Sequence, residues 1–147
     1  MIILKVYVNL KEGIHFIASA RHFTNIHIDE PESFHGQNKG PSAVEYFLIG
    51  IGGCTGSTFS YCLSKNSIEI NNLQIIVDGK LTHKGKKMNL RLIKIEIEIN
   101  CTVKNDPDDM IELCLTQFRE HCVITESISA GIPLMYNFNI KKSITPP

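Results

Sequence analysis

Apolar and polar positions change their period several times along this chain, and each change marks an element. Residues 2–10 alternate, with Ile2, Leu4, Val6 and Val8 set against Ile3, Lys5, Tyr7 and Asn9, the period-two pattern of a strand. The strand stops at the Lys11-Glu12-Gly13 turn. Ile14 to Ala20 predicts a second strand that can close a hairpin with the first, and Asn25 to Ile28 a short third. Residues 29–39 (DEPESFHGQNK) are polar and hold Pro31 and Gly36, which makes them a loop.

The period then changes to three and four. Gly40-Pro41-Ser42 is a turn in which Ser42 can cap a helix beginning near Ala43. Val44, Phe47, Leu48, Ile51, Thr55, Phe59 and Cys62 follow at helical spacing as far as Ser64-Lys65-Asn66-Ser67. The opposite side (Tyr46, Ile49, Tyr61, Leu63) is apolar too, and Glu45 is the one charge before Lys65. A helix apolar all round is expected to be buried. Gly50, Gly52 and Gly53 lie inside it, just before Cys54. Each costs about 1 kcal/mol of helix propensity relative to Ala, so another backbone or a ligand is expected to approach the face beside Cys54.

Beyond the helix, residues 68–82 and 90–103 predict two long strands joined by a turn over His83-Lys84-Gly85-Lys86-Lys87. In the second, Ile93, Ile95, Ile97 and Ile99 alternate with Lys94, Glu96, Glu98 and Asn100, one face core and one face wet. A second helix starts at Asp106-Pro107, with acids in its first turn, and runs to about His121. Its inward stripe is Met110, Leu113, Cys114, Gln117 and Phe118. Residues 125–130 predict a further helical turn stopped by Gly131, residues 134–140 a last strand, and residues 141–147 a tail. Strands, a long helix, strands, a helix and a strand make an α+β fold with antiparallel sheets in one domain, residues 1–147. One sheet face cannot cover an all-apolar central helix, so a helix from a second subunit is the expected partner. A well-folded monomer at micromolar concentration in the ultracentrifuge would overturn that expectation.

Composition narrows the function classes. The 147 residues carry 15 basic and 15 acidic side chains for a net charge of zero, which argues against nucleic acid or an anionic membrane as partner. No apolar run approaches the roughly 20 residues of a membrane span, and the N-terminus lacks a signal-peptide pattern, so a cytoplasmic location is expected. Five cysteines form neither a C-x-x-C motif nor a dense framework. The six histidines are scattered without ligand spacing, so neither metal nor cofactor is expected.

The chemistry therefore rests on the thiols. Cys62 and Cys114 fall on apolar helical positions and Cys101 near a strand end, and all three read as structural. Cys54 reads as an inert small hydrophobe on composition alone, a balance shifted by Gly52-Gly53 before it and by the hydroxyls of Thr55, Ser57 and Thr58. Cys122 follows Arg119, Glu120 and His121 at a helix end, where a cation would favour its thiolate. Glu45 suits the helix dipole or, at a site, could orient an arginine. Nine residues from Cys54, it lies about 13–14 Å along the helix and half a turn round, so the two can share a site only across an interface or a broken helix. Arg21, at the end of the second strand, could reach inward.

GPSAVEYFLIGIGGCT, followed much later by EHCVITESISAGIPL, resembles the OsmC/Ohr family (osmotically inducible protein C and organic hydroperoxide resistance protein) over nearly the whole chain. Val44 stands where the best-characterised peroxidase branch has its Glu, and Val123 where Pro commonly follows the second Cys, which places the chain with the OsmC-like relatives. The resemblance implies an intertwined homodimer with two long helices at its centre and a site between subunits. It also implies a thiol peroxidase: Cys54 attacks the hydroperoxide and becomes a sulfenic acid. Cys122 then resolves it to a disulfide, which an external dithiol reduces. Glu45 and Arg21 would polarise the peroxide and favour the thiolate. The alternative is a non-enzymatic dimeric domain that binds a small apolar or sulfur-containing ligand at the same thiol pocket, and a third reading is a structural protein with inert thiols.

Overall fold

The computed structural model describes residues 1–104, 108–132 and 135. Its elements are β1 (Val6–Glu12), β2 (His15–Ala20), β3 (Phe23–Ile28), α1 (Ala43–Lys65), β4 (Ile70–Lys84), β5 (Asn89–Val103), α2 (Asp108–His121) and α3 (Val123–Ala130). β1, β2 and β3 form an antiparallel meander, and β4 and β5 a long antiparallel ribbon. The fold is α+β, as the sequence predicts. Both the start of the second helix expected at Asp106-Pro107 and the strand expected over 134–140 lie outside the described residues.

The polar loop after β3 is ordered by one carboxylate. Asp29 is buried at 1% exposure and accepts the backbone N–H groups of Glu30 (2.9 Å), Gln37 (3.0 Å) and Lys39 (3.0 Å). Burial alone would raise its pKa; the three N–H donors outweigh it and hold the carboxyl below its ordinary value. The loop folds so tightly here that a Cβ on Gly36 would stand 1.7 Å from the Glu30 carbonyl oxygen. This fold-back delivers the chain to α1, where the Tyr46 hydroxyl donates to the His27 carbonyl at 2.8 Å. Behind it, His15 is buried and its Nε2 lies 2.9 Å from Nδ1 of His27.

α1 begins with a complete capping box. Ser42 Oγ accepts the Glu45 N–H while the Glu45 carboxylate accepts the Ser42 N–H. Ile51, Thr55, Phe59, Cys62 and Leu63 are its buried residues. The core groups Phe59, Cys62, Leu63, Ile68 and Cys114, with Leu73, Ile99 and Met110 packed against them. Burying a side chain such as Phe59 contributes about 1.5–3 kcal/mol. The expectation of burial all round does not hold within one chain: Phe47, Ile49 and Tyr61 are exposed. Gly52 shows why glycine interrupts the helix, since a Cβ there would lie 3.3 Å from Val77 Cγ2 on β4. Gly53 has nothing within 4 Å of the equivalent position.

Two sequence-based faces are shifted. β5 pairs Lys94 with Lys80 but Leu92 with Leu81, and this bulge turns Ile93 outward, 47% exposed, while Ile95, Ile97 and Ile99 stay half-buried. On α2 the inward residues are Met110, Ile111, Cys114, Leu115 and Phe118, whereas Leu113 and Gln117 are exposed. The helix is rotated because it packs around Cys114, which is fully buried against α1.

Candidate active site

The end of α2, the start of α3 and the middle of α1 meet at two sulfur atoms. Cys122 sits between the two shorter helices: its N–H still bonds the Phe118 carbonyl at 3.0 Å, and its own carbonyl accepts the Glu126 N–H at 3.0 Å. It is thus the N-cap of α3, with extended φ and ψ. Its Sγ lies 3.2 Å from Sγ of Cys54, so residues 68 apart in sequence become one dithiol. Cys122 is fully buried and Cys54 half-buried. An incoming molecule therefore reaches Cys54 first.

The two thiols are electrostatically unequal. For Cys122 burial acts to raise the pKa, but the hydroxyl and N–H of Thr125, the Cys54 thiol and the Ile124 N–H outweigh it and bring it below the ordinary value. For Cys54 burial dominates and the charge and hydrogen bond of Cys122 add to it. The Ile124 N–H and the Thr58 hydroxyl oppose these without cancelling them, and its pKa is raised. Cys122 is thus the more acidic of the two and Cys54 the one that keeps its proton to higher pH. The Thr125 hydroxyl and the N–H groups in the first turn of α3 are the physical cause. The sequence pointed instead to neighbouring cations, none of which contributes to this shift. Thr58 is one of the three hydroxyls the sequence set beside Cys54, and Thr125 is the participant it missed. Thr125 was detectable as the third residue of a helix capped by Cys122.

Glu45 is engaged at the other end of the helix. Its Oε2 accepts the Ser42 N–H at 2.6 Å, and that backbone bond, followed by the Ser42 hydroxyl, lowers its pKa. It also borders a cleft of about 640 Å³ between α1 and β4, lined by Leu48, Gly52, Gly53 and Val77 among others; Cys54 is not among its lining residues. Arg21 lies in the β2–β3 turn at φ 56° with its guanidinium carbon 5.2 Å from the Phe23 ring centroid. Among the described residues it makes no hydrogen bond or ion pair with Glu45, Cys54 or Cys122. One chain thus joins the two thiols and leaves Glu45 and Arg21 apart from them.

Cys62 and Cys114, expected as separate apolar fillers, are joined in a disulfide with Cα atoms 5.5 Å apart, inside the range such a bond requires. Cys101 is a free thiol on β5. Among the described residues no group of three or more His, Cys, Asp or Glu could hold a metal ion, and no helix is long and apolar enough to cross a membrane.

A search of curated proteins finds no match. Solved structures match well. The OsmC-like protein from Mycoplasma pneumoniae superposes with a TM-score of 0.72 at 19% identity, covering 86% of each chain. An organic hydroperoxide resistance protein from Legionella pneumophila gives 0.60 at 12%, covering 87% of this chain and 90% of that one. The organic hydroperoxide resistance protein of Bacillus subtilis gives 0.57 at 16%, covering 86% and 90%. At these identities the likeness is one of fold. The family model described as OsmC-like protein matches residues 36–137, more than half of the chain, and the protein belongs to the OsmC-like family.

Proposed function

We propose that the protein is a thiol peroxidase that reduces hydroperoxides through Cys54 and Cys122. The observation that carries this reading is the sulfur of half-buried Cys54 set 3.2 Å from the sulfur of buried Cys122. The raised pKa of Cys54 fits a mechanism in which Cys122 is first a base. Cys54 passes its proton to the Cys122 thiolate, and the Cys54 thiolate attacks the terminal peroxide oxygen. The O–O bond breaks, Cys54 becomes a sulfenic acid, and the departing alkoxide takes the proton from Cys122 to leave as alcohol. The Cys122 thiolate, regenerated by that transfer, attacks the sulfenic sulfur. A disulfide forms and hydroxide leaves, and an external dithiol restores both thiols. The apolar cleft beside Gly53 suits a hydroperoxide with an organic tail. Two of the structural neighbours are named organic hydroperoxide resistance proteins, which supports the reading without extending it to this chain.

The working unit in this proposal is a homodimer. Ile49, Gly53 and Ser57 form an exposed ridge at four-residue spacing on α1, and Gly53 leaves room for another helix to approach. β1 is exposed along its whole length, including Val6, Val8 and Leu10. A second copy would cover both and could bring its Arg21 to Glu45, whose Oε1 has no partner among the described residues. The test is trapping. Cys122→Ser, which lacks the base, should be oxidised by cumene hydroperoxide more slowly than wild type but should still hold a sulfenic acid at Cys54 that dimedone captures, and Cys54→Ser should react no faster than free cysteine. Equal oxidation rates in wild type and Cys54→Ser would sink the proposal.

A second reading, a domain that binds a small apolar or sulfur-containing ligand without turnover, is favoured by the apolar cleft, while the raised Cys54 pKa favours inert packing of that thiol. Tight binding of an apolar thioether with no hydroperoxide consumption would select it.

A further inference from the structure

The Cys54–Cys122 pair has a counterpart on the same two helices. Cys62 follows Cys54 by eight residues and Cys114 precedes Cys122 by eight, so two sulfur pairs bridge α1 and α2 about 12 Å apart along the helix axis. The upper pair is a dithiol and the lower a disulfide. We propose that the Cys62–Cys114 bond is a second redox couple, opened by a small thiol or dithiol that attacks Cys62 from the cleft beside it. This inference does not depend on the peroxidase reading.

The cleft has a volume of about 260 Å³ and is lined by Thr58, Tyr61, Cys62, Lys65, Gln117 and His121. It reaches Cys62, which is buried but keeps 5% exposure, whereas Cys114 in the same core has none, so the narrow access to the bond is from the Cys62 side. Lys65 offers positive charge where an anionic thiolate would enter. Asn66 Nδ2 stands 3.6 Å from Cys62 Sγ and 3.7 Å from Cys114 Sγ, and it can donate to whichever sulfur is charged. A bond kept only for stability has no use for this approach. In a reducing cytoplasm, the compartment expected from the sequence, a disulfide is transient and redox-active rather than structural.

The exchange balances as follows. An external thiolate attacks Cys62 Sγ, the Cys62–Cys114 bond breaks, and Cys114 leaves as a thiolate beside Asn66 and is then protonated. The external sulfur is now joined to Cys62. If the attacking molecule is a dithiol, its second thiolate attacks its own bound sulfur and releases Cys62, leaving two protein thiols and an oxidised, cyclic reductant. The couple also adjoins the upper pair. Thr58, which lines the cleft, hydrogen-bonds Cys54, and His121 directly precedes Cys122. Opening the bond unclamps α2 from α1 just below Cys122.

The experiment uses the full chain as wild type and as Cys54→Ser/Cys122→Ser, both without denaturant. With β-mercaptoethanol, acid quenching and peptide mapping should find the adduct on Cys62 and the free thiol on Cys114 in each protein. Dithiothreitol should release both thiols, and removing it under mild oxidation should restore the bond. Lys65→Glu should slow the β-mercaptoethanol step by about threefold to tenfold at low salt. A bond that yields only after unfolding, an adduct placed on Cys114, or thiols that never re-form the bond would each overturn the proposal.

Discussion

Cys54 and Cys122 are the same side chain in two environments, and the difference between those environments sets their roles. Cys122 caps α3 and collects donors; Cys54 sits in the middle of α1, where burial dominates. Cys122 has its pKa lowered and Cys54 and Cys101 theirs raised, so the thiolate signal should rise first from Cys122, below the ordinary thiol value, and only later from the other two free thiols. Cys122→Ser should abolish the lower step. One step near the ordinary value in both proteins would contradict the assignment. Arg21 offers a test of the proposed intersubunit site. Arg21→Ala should slow oxidation of Cys54 by about tenfold, equivalent to about 1.4 kcal/mol of transition-state stabilisation, with unfolding unchanged; an unaltered rate would remove Arg21 from the site. The sequence marked both thiols, through the glycines before Cys54 and the helix end before Cys122. It could not rank their acidities, because the N–H groups of Ile124 and Thr125 acquire direction only when α3 forms.

α1 depends on its first turn. Ser42→Ala removes the side-chain half of the capping box and should destabilise the protein by about 0.5–2 kcal/mol, measured by urea unfolding. A midpoint shift equivalent to less than a few tenths of a kcal/mol would show the box to be idle. The folded-state pKa values of Asp29 and Glu45 are both lowered. Their contribution is therefore fully present above the ordinary carboxylate range, about pH 4, and is lost as pH falls through the lower folded values. Asp29→Asn should be less stable than wild type at neutral pH and should lose less on acidification; parallel pH profiles would show that the carboxylate does not order the loop. Helix α1 and the paired strands were legible because their periods are long and regular. The inward face of α2 was not. Met110, Leu113, Cys114 and Phe118 fit one helical stripe as well as Met110, Ile111, Cys114 and Leu115 fit another, and packing of Cys114 against Cys62 decides between them. The bulge at Ile93 was equally invisible, since its cause is the register with β4.

A single chain leaves α1 covered on one side and β1 on neither face, and both deficits are met if two copies associate. Gly53→Leu tests this with little disturbance of the chain itself, because among the described residues nothing beyond the neighbouring residues and backbone of α1 lies within 4 Å of the added Cβ. Sedimentation should show a dimer for wild type and a shift toward monomer for Gly53→Leu, with unchanged circular dichroism; a wild-type monomer would contradict the assembly. The all-apolar helix made a partner an expectation, whereas the disulfide was not foreseen, since its partners lie 52 residues apart and spacing gives no hint of their meeting. The measurement that bears most directly on the chemistry is stoichiometric. One equivalent of cumene hydroperoxide added to reduced protein should yield one equivalent of cumyl alcohol and one Cys54–Cys122 disulfide per chain by peptide mapping. Hydroperoxide left unconsumed, or oxidation found at Cys101 with Cys54 and Cys122 still reduced, would contradict the account.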